Sequence, residues 1–131
     1  MTRKINVYKF ATDSIDNLNS LRDTNIWSFP HGEFPYNLIS RTAVPGDRVI
    51  FTNKGSIVGI GELMSMPSSS ITSLFPDNKA YTSSFTVYLE KWGTVTPKER
   101  KKNKIKLKPG AISFGDHRTF NFAKKNLQHS R

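Results

Sequence analysis

The sequence predicts an α+β domain in which a strongly curved sheet or small open barrel carries two or three flanking helices. Three observations support this fold class: alternating, β-rich runs recur along the chain, helical periodicity interrupts them, and no segment repeats. We count five or six strands. At 131 residues the chain is long enough for one core, so we expect a single domain spanning residues 1–131.

The chain begins with a strand followed by a helix. Ile5–Phe10 alternates between apolar and polar residues, which is typical of a strand. Asp13 or Ser14 can then cap a helix whose apolar residues recur every three positions on one face, namely Ile15, Leu18 and Leu21. This order places the polar residues Thr12, Asp13 and Ser14 at the junction between strand and helix.

The stretch Asn25–Gly32 carries a tryptophan where regular structure is hard to continue. Phe29 precedes a proline and is biased towards an extended backbone, while Gly32 turns at any φ, so we expect Trp27 to lie on a tightly bent connection. A large aromatic residue on such a bend is either buried core or the wall of a pocket. Both interpretations remain open.

A hairpin follows in the middle of the chain. Tyr36–Arg41 favours a short helix, and Pro45-Gly46-Asp47 reads as a turn. Two β-rich runs, Arg48–Thr52 and Ser56–Leu63, then flank Asn53-Lys54-Gly55, whose residues tolerate positive φ at a hairpin tip. The second run contains two glycines on one face, which mark a bend or leave space for a ligand.

The last part of the chain alternates loops with regular elements. Residues 64–83 form a long polar loop that carries Phe75 and Tyr81, two aromatics with no evident core to fill, and loops of this length are often functional. A strand is predicted at Ser84–Trp92 and a short one at Ile105–Leu107. The polar turn Gly115–Thr119 then leads into a terminal helix at 120–127.

The charge of the chain points to a polyanionic partner. Twenty Lys and Arg against ten Asp and Glu give a net charge of +10, which attracts nucleic acid before any other partner. The excess is concentrated in one stretch, here called the basic segment: Lys98, Arg100, Lys101, Lys102, Lys104, Lys106 and Lys108.

Residues that would carry chemistry are sparse. Without cysteine, thiol catalysis and cysteine-bound zinc are excluded, and the three histidines lack the spacing of metal ligands. Asp116-His117-Arg118 fits a phosphate-binding turn or a plain surface turn better than an acid/base or nuclease site. We therefore expect a binding module without a cofactor. No signal peptide or membrane span is evident, and a soluble cytoplasmic protein is expected.

The order of these motifs resembles the YTH and EVE branch of the PUA-like superfamily. The similarity runs from about Ile5 to Leu127 and is carried by Asn25–Ser28, by the hairpin, by the aromatics from Phe75 to Tyr81 and by Gly115–Thr119. The resemblance implies a PUA-like fold and a reader of a modified base, most simply N6-methyladenine, in RNA or DNA.

Site residues follow from this resemblance. The flipped base would enter an aromatic cage of Trp27, Phe75 and Tyr81, with polar contacts from the Ser28 backbone and from Thr12, Asp13 or Ser14. Phosphate contacts would come from Lys9, His117, Arg118, Lys101, Lys102 and Lys104.

Two alternatives stay open on the same scaffold. One is the DNA-reading domain, for modified cytosine, of a modification-dependent restriction enzyme of the McrBC kind, which would be a recognition module within a larger protein. The other is a small ribonuclease related to ASCH domains, which would use Lys or Tyr together with His117. Cleavage of labelled RNA or DNA would separate the enzyme from the reader.

Overall fold

The computed structural model describes residues 4–30, 42–65, 81–110 and 112–131, with the backbone alone at 29–30 and 81–85. Their strands and helices follow in the order β1 (Val7–Ala11), α1 (Ile15–Thr24), β2 (Ile26–Pro30), β3 (Arg48–Asn53), β4 (Ser56–Leu63), β5 (Tyr81–Val95), α2 (Pro97–Lys102), β6 (Ile112–Phe114), α3 (His117–Asn126) and β7 (His129–Ser130).

The strands form one curled, open sheet in the order β2-β5-β4-β3-β1-β6, and β7 pairs with β5. The pairing of β1 with β3 is parallel, and the other pairings are antiparallel. Register shifts interrupt the β3–β4 and β4–β5 pairings, and such bulges bend a sheet and increase its twist. The predicted α+β class with a strongly curved sheet is confirmed.

The predicted hairpin is confirmed at its tip and along its strands. Lys54 and Gly55 both have positive φ, at 49° and 83°, as a two-residue hairpin loop requires. The β4 glycines mark bends, since the register shifts fall beside them. A side chain at Gly61 would place its Cβ 2.6 Å from the Tyr88 carbonyl oxygen, so the two strands approach too closely there for any other residue.

Helix α1 begins at one of the two caps that its sequence predicts. The Ser14 hydroxyl accepts a hydrogen bond from the Asp16 N–H at the first turn, and Asn25 ends the helix in the left-handed conformation at φ 61°. Leu18 and Leu21 are buried as expected, but Ile15 is 46% exposed, so the apolar face is narrower than predicted.

Two hydrophobic clusters cover the two faces of the sheet. Helix α1 packs on the first face, where Leu18 and Leu21 join a cluster that includes Tyr8, Phe10, Trp27 and Phe51. Helix α3 packs on the second face, where Phe120 and Ala123 join Val7, Ile50 and Ile60. Because side chains alternate along β1, Tyr8 and Phe10 point to the first face and Val7 and Lys9 to the second.

Several predicted boundaries are wrong. Trp27 lies inside β2 and not on a bent connection. Ile105–Leu107 is not a strand, whereas β6 was not predicted. Helix α3 begins at His117, because Asp116 caps it by accepting the Thr119 N–H, and β5 begins at Tyr81 within the predicted loop. The helix predicted at Tyr36–Arg41 lies outside the described residues. Within the described ranges no helix has the length and apolar character needed to cross a membrane.

Candidate nucleic-acid interface

Trp27 is positioned by the end of α1, which precedes it, and by the pairing of β2 with β5. The left-handed turn at Asn25 directs the chain from α1 straight into β2, and Trp27 pairs with Phe85 in the antiparallel β2–β5 ladder. Its ring centroid lies 4.7 Å from that of Phe51 and 6.5 Å from that of Phe10. Only 3% of the residue is exposed. Trp27 therefore belongs to the core of the domain.

The surroundings of Trp27 are aromatic on more than one side. Phe10 is nearly parallel to the indole at an interplanar angle of 19°, whereas Phe51 is tilted by 53° and meets Phe10 edge-on at 5.9 Å. Such offset and edge contacts are favourable and rigid. A base could stack on Trp27 only if a neighbour first moved away from the ring. The sequence did not single out Phe10 and Phe51, because residues on alternating strands are indistinguishable from ordinary core.

The polar junction after β1 is firmly fixed. The Thr12 N–H donates to the Thr52 carbonyl at 2.8 Å, and the Asn53 side-chain amide donates to the Thr12 carbonyl, also at 2.8 Å. The Thr12 hydroxyl, itself buried, donates to the Ser14 carbonyl at 2.9 Å. These bonds preorganise the junction, while Asp13 is exposed at its surface.

Other predicted base contacts are placed less completely. Ser28 is buried and follows Trp27 in β2, so alternation points its side chain away from the Trp27 face. A contact from Ser28 beside Trp27 would therefore use the backbone, which is the contact predicted for this residue. Phe75 lies outside the described residues, and at Tyr81 the structure gives only the backbone, which pairs with Pro30. Their roles in a cage stay predictions.

The basic segment is divided between structural and solvent-facing residues. Lys98, Lys101, Lys102 and Lys104 are exposed, and α2 buries none of its residues. Arg100 differs, because its guanidinium donates to the Gly55 carbonyl at 3.0 Å and to the Ile105 carbonyl at 2.9 Å. Arg100 therefore holds α2 against the hairpin tip, whereas those four lysines face solvent.

The first turn of α3 carries two more of the predicted phosphate-binding residues, Arg118 and His117. The Arg118 guanidinium donates to the Asn103 carbonyl at 3.1 Å and to the Lys104 carbonyl at 3.3 Å, which draws it against the end of the basic segment. His117 lies 3.4 Å from the Arg48 guanidinium through Nδ1 and 3.1 Å from the Ile5 carbonyl through Nε2. Both side chains are exposed, so the structure gathers Arg118 and the nearby lysines on one surface.

Lys9 has a different environment from the other predicted phosphate ligands. It is 5% exposed, and its ammonium donates to the Gly110 carbonyl at 2.8 Å. Burial lowers the pKa of Lys9 below its ordinary value, because the charged form loses hydration. Lys9 lies on the second face of the sheet, away from Trp27.

The predicted site residues therefore fall into two groups. Trp27 and the junction at Thr12 adjoin the first face, whereas Lys9, Arg118 and the exposed lysines adjoin the second. A nucleic-acid strand that contacted both groups would have to pass around the edge of the sheet. Across the four described ranges, no three His, Asp or Glu side chains come together as a metal site requires.

The fold defined by this curled sheet and its helices is that of YTH domains. The YTH domain of the Zygosaccharomyces rouxii MRB1 protein, solved in complex with N6-methyladenosine RNA, matches with a TM-score of 0.73 over 95% of this chain and 89% of that one, at 13% identity.

Two further solved structures agree with this match. The Toxoplasma CPSF4 YTH domain, in complex with a 7-mer m6A-modified RNA, matches with a TM-score of 0.66 over 96% of this chain and 93% of that one, at 15% identity. The YTH domain-containing protein mmi1, in complex with RNA, matches with a TM-score of 0.62 over 83% and 73%, at 13% identity. No protein-family model matches the chain, and neither does any curated protein sequence.

Proposed function

We propose that this protein binds RNA and recognises a modified base, N6-methyladenine, by turning the nucleotide out of its strand and placing the base against Trp27. The observation that carries the proposal is the common fold with YTH domains solved in complex with m6A RNA, together with a tryptophan in the strand after α1. The net charge of +10 suits the same partner.

The energetics are feasible with few aromatic contacts. Unstacking a base costs a few kcal/mol, and base–aromatic stacking returns about 1–3 kcal/mol per base. Burying one methyl group adds only about 0.8 kcal/mol, or roughly fourfold in affinity. Stronger preference for the modified base would therefore require a pocket that fits the methylated edge while polar groups satisfy the rest of the base.

The burial of Trp27 adds a step to this mechanism. Since the residue is 3% exposed, the base would have to displace a neighbour before it stacked. Binding would then include a conformational cost, and the apparent affinity would fall by the population of the open form. A reader of this kind discriminates best when only the correct base binds strongly enough to offset the free-energy cost of opening the site.

Polar recognition would come from the fixed junction and from β2. Asp13 and the backbone of Ser28 are the candidate partners of the base edge, and the Ser14 hydroxyl, which accepts the Asp16 N–H, would contribute through its remaining acceptor capacity. The Thr12 hydroxyl already donates to the Ser14 carbonyl and accepts from the Ser14 N–H and the Asn17 side-chain amide, so it would act by holding the junction in place. Because hydrogen bonds to β3 already hold this junction, ordering it on binding would cost little.

Phosphate contacts would come from the exposed lysines and from the first turn of α3. Lys101, Lys102 and Lys104 are free of ion pairs within the described part of the chain, and Arg118 sits beside them. Cations of this kind fix the register of a strand and carry no sequence information. The affinity should therefore be strongly salt-dependent.

A binding panel tests the proposal directly. Short single- and double-stranded RNA and DNA oligonucleotides would carry N6-methyladenine, 5-methylcytosine or the unmodified base at one position, and fluorescence anisotropy would give each Kd. We expect the tightest binding for single-stranded RNA with N6-methyladenine. Equal affinity for the modified and unmodified RNA would refute base reading, and a preference for methylated DNA would reassign the polymer.

A further inference from the structure

The positive charge of this chain is concentrated in one stretch, which lies on the second face of the sheet. Residues 97–125, which run from α2 into α3, hold ten Lys and Arg against two acidic residues, whereas the rest of the chain holds ten against eight. This stretch therefore carries +8 of the net charge of +10. Its buried apolar residues, Ile105, Phe120 and Ala123, pack on the face opposite Trp27. The attraction for RNA is consequently centred away from the modified-base site.

A groove of about 460 Å³ lies between α3 and the chain that follows α2. Asn103 and Ile105 line it on the side of the basic segment. The α3 residues that line it recur at i, i+3, i+4 and i+7 and so share one stripe of the helix, namely Arg118, Asn121, Phe122 and Lys125. The lining thus combines cations, amides and apolar side chains without an acidic residue, which suits a phosphate backbone.

Arg118 is held in place as a ligand for an anion. Its guanidinium donates to the Asn103 and Lys104 carbonyls at 3.1 and 3.3 Å, and its remaining N–H groups are available to a ligand. Neither Arg118 nor Lys125 forms an ion pair with a described residue, and both are exposed. A guanidinium that is already positioned loses little side-chain entropy when it binds. The exposed lysines beside the groove extend the same surface, namely Lys101, Lys102 and Lys104.

The surface beside Trp27 has the opposite character. The polar junction and α1 expose the carboxylates of Asp13, Asp16 and Asp23 and carry a single cation, Arg22. These carboxylates repel phosphates, so the first face contributes little to the attraction for a polyanion. The cations on the second face are therefore more than a strand confined to the first face can use.

We propose that the groove and the exposed lysines beside it bind a second, unmodified segment of RNA through its phosphates, while Trp27 holds the modified base. The inference takes the identity of the polymer from the proposed function but does not depend on recognition of a modified base. Because phosphate contacts carry no sequence information, this surface binds RNA whatever its bases. An RNA long enough to reach both faces gains affinity from the linkage of the two sites.

Competition between two RNAs tests this arrangement. The labelled RNA is single-stranded and unmodified, and the unlabelled competitor is a short RNA of a few nucleotides that carries N6-methyladenine. We expect a saturating amount of the competitor to leave the Kd of the unmodified RNA unchanged, because the two occupy opposite faces of the sheet. Displacement of the unmodified RNA would show that both share one surface and would overturn the proposal.

NMR signals of the ¹⁵N-labelled protein show where each RNA binds. Unmodified RNA should shift the backbone amides of Arg118, Asn121 and Lys125 and leave the Trp27 indole N–H in place, and the short modified RNA should do the reverse. Groove shifts with unmodified RNA, but no Trp27 shift with the modified RNA, would reject the modified-base site alone. A Trp27 shift with the modified RNA, but no groove shifts with unmodified RNA, would reject the second site alone.

Matched single substitutions locate the surface. Arg118→Met and Lys125→Met should each weaken binding of unmodified RNA severalfold and make the slope of log K against log salt concentration shallower by about one unit. Arg22→Met removes the same charge from α1 on the first face and should leave affinity and slope nearly unchanged. Equal losses in all three variants would show that only net charge matters. That result, or full affinity in both Arg118→Met and Lys125→Met, would overturn the proposal.

Discussion

Replacement of Trp27 separates a role in binding from a role in folding, since the residue is buried in the core and is also the proposed stacking surface. Trp27→Leu keeps an apolar side chain but removes the ring. With 3% of the residue exposed, almost all of the lost area is buried area, and we expect the free energy of unfolding to fall by about 2–3 kcal/mol. A domain with about 5 kcal/mol of stability would remain more than about 90% folded.

The binding effect should exceed what this stability loss explains. Loss of one base–aromatic stack costs about 1–3 kcal/mol, or about 5- to 150-fold in Kd, and the loss should be larger for the N6-methyladenine oligonucleotide. Trp27→Phe keeps a stacking face and should retain most of the affinity. Leu63→Ala is the matched control, because Leu63 is fully buried in the same cluster and its truncation costs about 2–5 kcal/mol without removing a ring.

Chemical denaturation gives the stability of each variant and fluorescence anisotropy gives its Kd, and the two measurements on the same preparations separate lost stacking from lost stability. A stacking role for Trp27 is refuted if Trp27→Leu stays folded and keeps the full preference for the modified base. It is equally refuted if Leu63→Ala lowers affinity as much as Trp27→Leu does, because the effect would then follow stability and not stacking.

Three further predictions concern charge and buried polar groups. Replacing both Lys101 and Lys102 with Met should make the slope of log K against log salt concentration shallower by about one unit per lost phosphate contact. The melting temperature should not fall, because both side chains are exposed, and an unchanged slope would remove α2 from the interface. Burial lowers the pKa of Lys9 in the folded state, so the free energy of unfolding should rise as pH increases from that lowered pKa towards the ordinary value of 10.5. A series of denaturant titrations at different pH should show this rise in the wild-type protein and not in Lys9→Met. Asp47→Ala should lower the free energy of unfolding in denaturant titration by about 2–4 kcal/mol, because the buried carboxylate accepts the Asn6 and Val44 N–H groups at 3.1 Å. A decrease below about 0.5 kcal/mol would show that water replaces the carboxylate as the acceptor.

Local signals account for the parts of the fold that the sequence predicts well. The hairpin depends on Lys54 and Gly55, whose positive φ is a property of two adjacent residues. The start of α1 depends on a cap that Ser14 supplies to its own first turn. Pro30 and Gly32 predict a bend at Trp27, but pairing with β5 extends the strand up to Pro30. Tertiary pairing overrode the local preference there.

Contacts between distant segments account for what the sequence could not predict. β6 has three residues, too few to show alternation, and it exists because it pairs with β1. The resemblance implies that Lys9 contacts phosphate, yet Lys9 is buried and its ammonium donates to the carbonyl of the distant Gly110. A cavity beside Lys9 and Leu107 also forms where these segments meet, so no pattern within either segment indicates it.

The placement of β1 has a consequence for how this chain folds. β1 lies between β3, which it meets in parallel, and β6, so Phe10 pairs with Phe51 on one side and with Ile112 on the other. A ribosome would release β1 well before β6, and one edge of an apolar strand would stay unpaired during that interval. Closing such long loops slows folding, and an open strand edge invites association with other chains. Refolding should therefore be slow for a domain of this size, with the β1–β6 amides gaining protection from hydrogen exchange last.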